Sequence, residues 1–346
     1  MSGIHRELSG RIDYIDLAKG FCILAVLWYH ALYCRLETPL DFAMAIFRMP
    51  FYYFLSGLFF KMYGGLADFS LRKVNKLLVP FLFFYLLSYL AGMVCDFLGF
   101  YEKGIVQDPF HWTQIFDIFV TEKLTYNAPL WFFISLFEVN ILFYGLLKLC
   151  REKNLPLILS SVALGCTGFY LMSERIDLPY YLDTSMRALP FFASGYFVRK
   201  YTGLLHPHRY DRFLPVILPV LAVVLYFGSP RLPYENIIGY YGIAMCGILL
   251  MMGIAKSIRY VPGISYIGRY SLVVLGTHMF LLAPCKLLVG KLGLAAPASD
   301  LLLWCATILA SLVVIPVMIR LFPALLAQKD LFPLRWMRVK ESDSAL

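Results

Sequence analysis

The chain has 346 residues, of which 60% are apolar and 15% charged, with a formal net charge of +9 and a mean hydropathy of +0.70. A soluble domain carries about 45–50% apolar and about 25% charged residues, so these values exclude a soluble enzyme, a nucleic-acid-binding protein and a disordered chain. They describe an integral membrane protein.

Crossing about 30 Å of hydrocarbon takes about 20 mostly apolar residues. Ten segments meet that length in chain order: 14–34, 44–62, 76–98, 128–149, 155–172, 185–202, 213–229, 236–255, 269–289 and 299–320. The expected fold is therefore all-α, a polytopic membrane protein of about ten transmembrane helices in one domain over 1–346. Segment 185–202 is the weakest, because it carries Arg187 and Pro190. The chain opens on charged Arg6, Glu7 and Arg11 before a run long enough to span, so no cleavable signal is expected.

Basic residues fill the short gaps between these runs, which suits orientation in a membrane better than nucleic-acid binding. With the amino terminus in the cytoplasm, 21 of the 31 Lys and Arg residues fall on inner segments, nine fall outside, and Lys19 lies in the first span. That asymmetry puts both termini in the cytoplasm. The stretch 99–127 is too short and mixed to span, and suits equally an aromatic lid over the outer mouth or a plain surface loop. His206-Pro207-His208 reads as a solvated linker. The eight cysteines sit in or beside apolar runs without a C-x-x-C and read as small hydrophobes.

Ionisable side chains at bilayer depth are costly and mark candidate functional sites. Lys19 and His30 are eleven residues apart; at about 100° per residue that is three turns plus about 20°, so both project from one helix face. Asp16 joins the same stripe. The rise from Lys19 to His30 is about 16 Å, which sets a cation near the cytoplasmic surface and an imidazole in the outer half. A snorkelling lysine and an interhelical histidine are the bland alternative. It weakens because His278, about 13 Å from the inner start of its span, and Glu138 also lie at depth. Two imidazoles and a carboxylate suffice for acid–base work on a hydroxyl, or for a proton relay in a transporter.

The cluster Arg72-Lys73-Val74-Asn75-Lys76 reads first as an ordinary cytoplasmic helix end; the other reading is a dock for a polyanionic cofactor such as coenzyme A. The chain has no phosphate-binding glycine loop, dinucleotide fingerprint or hydrolase elbow. No His or Cys set has metal spacing, so no metal is expected.

In register, these features resemble the acyltransferase type 3 family of membrane-bound acyltransferases, above all its compact branch of fucose 4-O-acetylase-like sugar O-acetyltransferases. Tyr14-Ile15-Asp16-Leu17-Ala18-Lys19-Gly20 followed by His30 is similar to the family's basic-x10-His signature. Pro50-Phe51-Tyr52-Tyr53-Phe54-Leu55-Ser56-Gly57 resembles its P-x-F-F-x-x-S-G element. Lys73-Val74-Asn75-Lys76 before Leu-Leu-x-Pro resembles its R-x-x-R element, and Leu130-Trp131-Phe132 with Glu138 and Ser271 with His278 complete the set. Lys73 and Lys76 depart from the usual arginines, and lysine binds phosphate as a point charge without bidentate geometry. The carboxy-terminal hydrolase-like domain of some members is missing, so transfer is expected to finish in the membrane part or on a separate protein.

The resemblance implies acyl transfer from cytosolic acetyl-CoA to a hydroxyl of a cell-envelope glycan or lipid-linked sugar, in a bacterial inner membrane. The expected partners are the coenzyme A thioester, the sugar acceptor and the bilayer, with no nucleic acid. In that scheme Lys73 and Lys76, with Arg72 and Ser56, hold the donor, and Lys19, oriented by Asp16, lines the pantetheine path. His30 acts as general base or carries the acetyl group as an acyl-imidazole; Glu138 and His278 orient the acceptor or shuttle the proton. The alternative is a transporter or flippase of a lipid-linked sugar or anionic metabolite. Such proteins often show internal repeats and paired broken helices, and none is visible in the sequence.

Overall fold

The structure is a computed structural model that describes residues 12–100, 109–120, 123–202, 205, 209–230 and 236–332. Arg6, Glu7, Arg11 and the His206-Pro207-His208 linker lie outside the described residues. The described secondary structure is helical throughout. In order, the helices are α1 (Asp13–Ala31), α2 (Pro39–Leu58), α3 (Leu66–Lys73), α4 (Val79–Phe97), α5 (Asp117–Val120), α6 (Trp131–Leu149) and α7 (Asn154–Ser173). There follow α8 (Leu182–Tyr201), α9 (Leu214–Gly228), α10 (Ile237–Ile258), α11 (Pro262–Arg269), α12 (Ser271–Gly290) and α13 (Ala298–Leu321).

Local chemistry sets several of these boundaries. Thr38 and Asp41 form a reciprocal cap at the start of α2: Thr38 Oγ1 accepts from the Asp41 N–H at 3.3 Å, and the Asp41 carboxylate accepts from the Thr38 N–H at 2.8 Å. Pro39 follows at the first helical position, where its missing N–H costs nothing. Between α3 and α4 the chain makes a π turn over Val74–Leu78. Pro80 has no N–H to offer the carbonyl four residues back, and a widened turn accommodates that loss. The third predicted span therefore begins earlier than expected, as one helical stretch Leu66–Phe97.

Seven helical stretches among the described residues are long and apolar enough to cross a membrane: Leu66–Phe97, Ala128–Leu149, Asn154–Ser173, Asp211–Gly228, Ile237–Ile258, Ser271–Gly290 and Ala298–Leu321. The predicted spans 14–34, 44–62 and 185–202 also fold as unbroken helices, α1, α2 and α8. Their charged residues (Asp16 and Lys19, Asp41 and Arg48, Asp183 and Arg187) keep them out of that apolar set. The protein is an all-α polytopic membrane protein. One boundary expectation is corrected: Arg269 ends the separate short helix α11 instead of opening α12, because the chain turns at Tyr270.

Two close crossings hold the polar helices. A Cβ on Gly57 of α2 would lie 1.9 Å from the Phe192 carbonyl oxygen, and one on Gly195 of α8 would lie 2.0 Å from the Phe54 oxygen. The same reciprocity joins α1 to α11, where a Cβ on Gly20 would be 2.2 Å from the Ile264 oxygen and one on Gly268 would be 1.8 Å from the Asp16 oxygen. Only glycine permits such backbone contact, the usual means by which helices associate where lipid supplies no hydrophobic drive.

The described part of 99–127 folds onto the carboxyl-terminal half of α4. Tyr85 donates to the Ile115 carbonyl at 3.1 Å, Tyr89 donates to that of Gln114, and Tyr126 donates to Gln114 Oε1 at 2.6 Å. Asn127 Nδ2 donates to the Gly276 oxygen of α12 at 2.9 Å. These bonds tie the described part of the stretch to α4 and α12. All eight cysteines are free.

Candidate active site

α1 and α12 bring the two membrane histidines together, with ring centroids 5.0 Å apart. His278 is completely buried. Its Nδ1 lies 2.9 Å from the Leu275 carbonyl oxygen and 3.1 Å from that of Val274. Carbonyls only accept, so these bonds assign the proton to Nδ1 and leave the lone pair on Nε2. Nε2 is buried and has no hydrogen-bond partner. A buried acceptor left unsatisfied is costly, and here it stands beside a second imidazole. His30 is only partly buried, with Nδ1 3.6 Å from Cys34 Sγ and the Tyr29 ring edge-on at 5.2 Å. Arg48 of α2 stacks its guanidinium 3.9 Å over that tyrosine ring. Arg48 lies within the predicted span 44–62, and a charge placed inside a span is the sequence signal that marks it.

Beside the turns of α1 and α12 that precede the histidines lies a cavity of about 370 Å³ among α1, α2, α6, α12 and the chain after α13. Lys76, Arg269 and Gln328 line it at the predicted inner end; Lys19, Ser56 and Ser271 line it further in, and Ile23, Phe132 and Leu275 occur toward its far end. Neither histidine is among its lining residues. Leu275 is one turn short of His278, about 4.5 Å of helix rise. On α1, Lys19 lines the cavity, while His30, eleven residues on, is not among its lining residues. Asp16 is buried one turn earlier, at the α11 crossing.

The basic cluster divides. Lys76 lines the cavity, and its Nζ donates to the Ala327 oxygen at 2.9 Å and pairs with Asp330 at 3.4 Å. Neighbouring Asn75, fully buried, clasps the backbone of Phe332 with both ends of its amide, at 3.0 and 2.9 Å. Arg72 turns back onto Asp68 at 2.9 Å and stacks 4.3 Å over Tyr63, and the Lys73 ammonium lies 5.3 Å over the Phe69 ring. Neither lines the cavity. Arg72 and Lys73, expected to hold the donor with Lys76, end α3 away from this cavity, whereas the π turn that follows brings Lys76 to it. Ser56 accepts from Asn140 Nδ2 at 3.1 Å on the cavity wall.

Glu138 belongs to a chain of hydroxyls. Its Oε2 accepts from Ser185 Oγ at 2.7 Å, Ser185 Oγ is 2.8 Å from Ser135 Oγ, and Ser135 Oγ is 2.7 Å from the Tyr53 hydroxyl. This chain of hydroxyls ties α6 to α2 and α8. On α6, Glu138 is about 200° around from Leu136, a cavity residue. Through Ser185 it braces α6 against α8. Among the described residues, no three His, Cys, Asp or Glu side chains gather to hold a metal ion.

A cationic cavity leading toward a pair of close imidazoles can seat an anionic donor and move a proton at its far end. No curated protein and no solved structure gives a match. The family model described as an acyltransferase domain matches residues 12–320, which takes in both histidines and all of the cavity lining except Leu326, Ala327 and Gln328. On that match the chain belongs to the acyltransferase type 3 family and is a membrane acyltransferase.

Proposed function

We propose that the protein moves an acetyl group from cytosolic acetyl-CoA to a hydroxyl of a cell-envelope glycan or lipid-linked sugar. All ten long helices cross the membrane in this reading, and both termini are cytoplasmic. One observation carries it: the cavity has cations at its inner mouth and stops one turn short of two imidazoles, one with an unpartnered buried nitrogen. The donor's phosphates rest at Lys76, and the pantetheine arm passes Lys19 and Ser56. Ile23, Phe132 and Leu275 form the septum that the thioester passes to reach His30.

At that point His30 accepts the proton of the acceptor hydroxyl while the oxygen attacks the thioester carbonyl. A C–O bond forms, the C–S bond breaks, and the proton on His30 goes to the departing thiolate. The covalent variant places the acetyl group on His30 first, releases the thiol, and then passes the group to the hydroxyl. In either route the free Nε2 of His278 accepts a hydrogen bond from the acceptor hydroxyl or from His30. Positioned proton transfer of this kind contributes about 10²–10⁴-fold to rate.

The test is transfer of labelled acetyl-CoA by purified protein, coupled with mass spectrometry of envelope glycans from cells with and without the gene. Loss of O-acetyl groups from an otherwise intact polymer supports the enzyme. Loss of the whole polymer, with acetyl-CoA untouched in vitro, would replace this reading with a flippase.

A further inference from the structure

The R-x-x-R element of this chain is built from lysines, and only one of them, Lys76, reaches the cavity. A second cation does stand there, supplied by a different part of the chain. Arg269 lines the same cavity from the break between α11 and α12. We infer that Arg269 is the principal phosphate-binding residue of the donor site, gripping the donor's phosphates together with Lys76. The inference rests on the acetyl-CoA reading above and assigns its donor subsite to a residue outside the R-x-x-R element.

Three observations support it. The first is charge balance. Arg72 is paired with Asp68 at 2.9 Å, and Lys76 shares its ammonium with Asp330 at 3.4 Å and the Ala327 oxygen at 2.9 Å. Among the described residues no carboxylate lies within ion-pair distance of Arg269; its guanidinium lies 5.4 Å from the centre of the Tyr270 ring and is otherwise exposed. The second is placement. Gly268 meets the α1 backbone so closely that an added Cβ would fall 1.8 Å from the Asp16 oxygen and 2.4 Å from the Gly20 nitrogen. That contact locks the residue before Arg269 against the turn of α1 that presents Lys19 to the cavity.

The third is chemistry. The guanidinium is a planar fork that meets two phosphate oxygens at once, which an ammonium does not do. The bidentate geometry missing from Lys73 and Lys76 is restored at the same mouth by a residue about 190 positions later in the chain. An arginine kept there simply as a cytoplasmic orientation signal would follow from the positive-inside tendency. That role does not depend on what the donor carries, and the two roles therefore separate by experiment.

The full chain in lipid nanodiscs is assayed with two donors, acetyl-CoA and S-acetyl-pantetheine, which has the same thioester arm and no phosphate. Wild type is expected to show a much lower KM for acetyl-CoA. In Arg269→Gln that preference, expressed as the ratio of the two KM values, falls at least tenfold. Arg269→Lys, which keeps the charge and loses the fork, falls about threefold and reports the same effect should the glutamine variant not fold. A ratio within twofold of wild type in the folded variants overturns the assignment. An equal loss with both donors does so too, since it marks a structural role. Wild type that uses both donors with one KM overturns this inference and leaves the acetyl-CoA reading standing, whereas wild type that uses neither donor overturns that reading and this inference with it.

Discussion

α1 and α9 are built for opposite surroundings. Eleven of the nineteen residues of α1 are buried, Asp16 among them, whereas Leu225 alone is buried in α9. α9 carries no charged residue from Leu214 to Gly228 and turns Val216, Val220, Val223 and Phe227 outward. It qualifies as a crossing on apolarity, while α1, with Asp13, Asp16, Lys19 and His30, does not. A helix suited to lipid lies apart from the cavity, while α1, which carries Lys19 and His30, is one of three long helices that are not apolar enough to qualify. α1 is kept in the bundle by backbone contact through Gly20 and Gly268 and by the Trp304 indole, which donates to its Leu24 oxygen at 3.0 Å. Surrounding helices supply the polar partners that hydrocarbon lacks.

The largest effect expected from this contrast is structural. Gly268→Leu places a branched side chain where even a Cβ would be 1.8 Å from a backbone oxygen, so α1 and α11 must part and the site comes apart. Size-exclusion chromatography in detergent should show little monodisperse protein. A well-folded Gly268→Leu protein with normal transfer would break the contrast at its root. Next comes His30→Ala, expected to lower acetyl transfer by about 10²–10⁴-fold while the variant elutes and melts like wild type. Full activity in that variant removes His30 from the chemistry.

How much of this was legible beforehand differs from residue to residue. The Lys19–His30 relation followed from helix period alone, because both residues share one helix and a fixed turn angle. The depths of His278 and Glu138 were legible in the same way, since distance along a span measures depth. The bond of Glu138 to Ser185 was not legible: sequence spacing says how far along a span a side chain lies but not which neighbour its helix turns it toward. Arg269 was read as the flank of a span because a 20-residue window does not register the turn at Tyr270. The glycine crossings stayed hidden for a related reason. Each glycine is unremarkable until its partner backbone is known, and the partners lie well over a hundred positions away in the chain.

A smaller effect belongs to the hydroxyl chain behind the cavity. Tyr53→Phe removes one link between α2 and α6 and leaves buried Ser135 with Ser185 as its remaining side-chain partner. Loss of one buried hydrogen bond costs about 1–2 kcal/mol, seen as a lower melting temperature in detergent with transfer largely kept. A hundredfold fall in transfer at unchanged stability would instead move this chain, and Glu138 with it, into the reacting site.

The smallest effect is expected on α9. Val216→Leu with Val220→Leu alters side chains that face outward, touches neither glycine crossing and adds no polar group to hydrocarbon. Substitutions remote from packing and polar features usually fall within about 0.5 kcal/mol, so melting temperature and transfer should both match wild type closely. The value of so small an effect lies in what a large one would mean. If this conservative pair destabilised the protein as strongly as Gly268→Leu, the outward face of α9 would be a packing surface against another protein molecule. The division between a lipid-facing helix and a site-bearing helix would then have to be redrawn around an assembly.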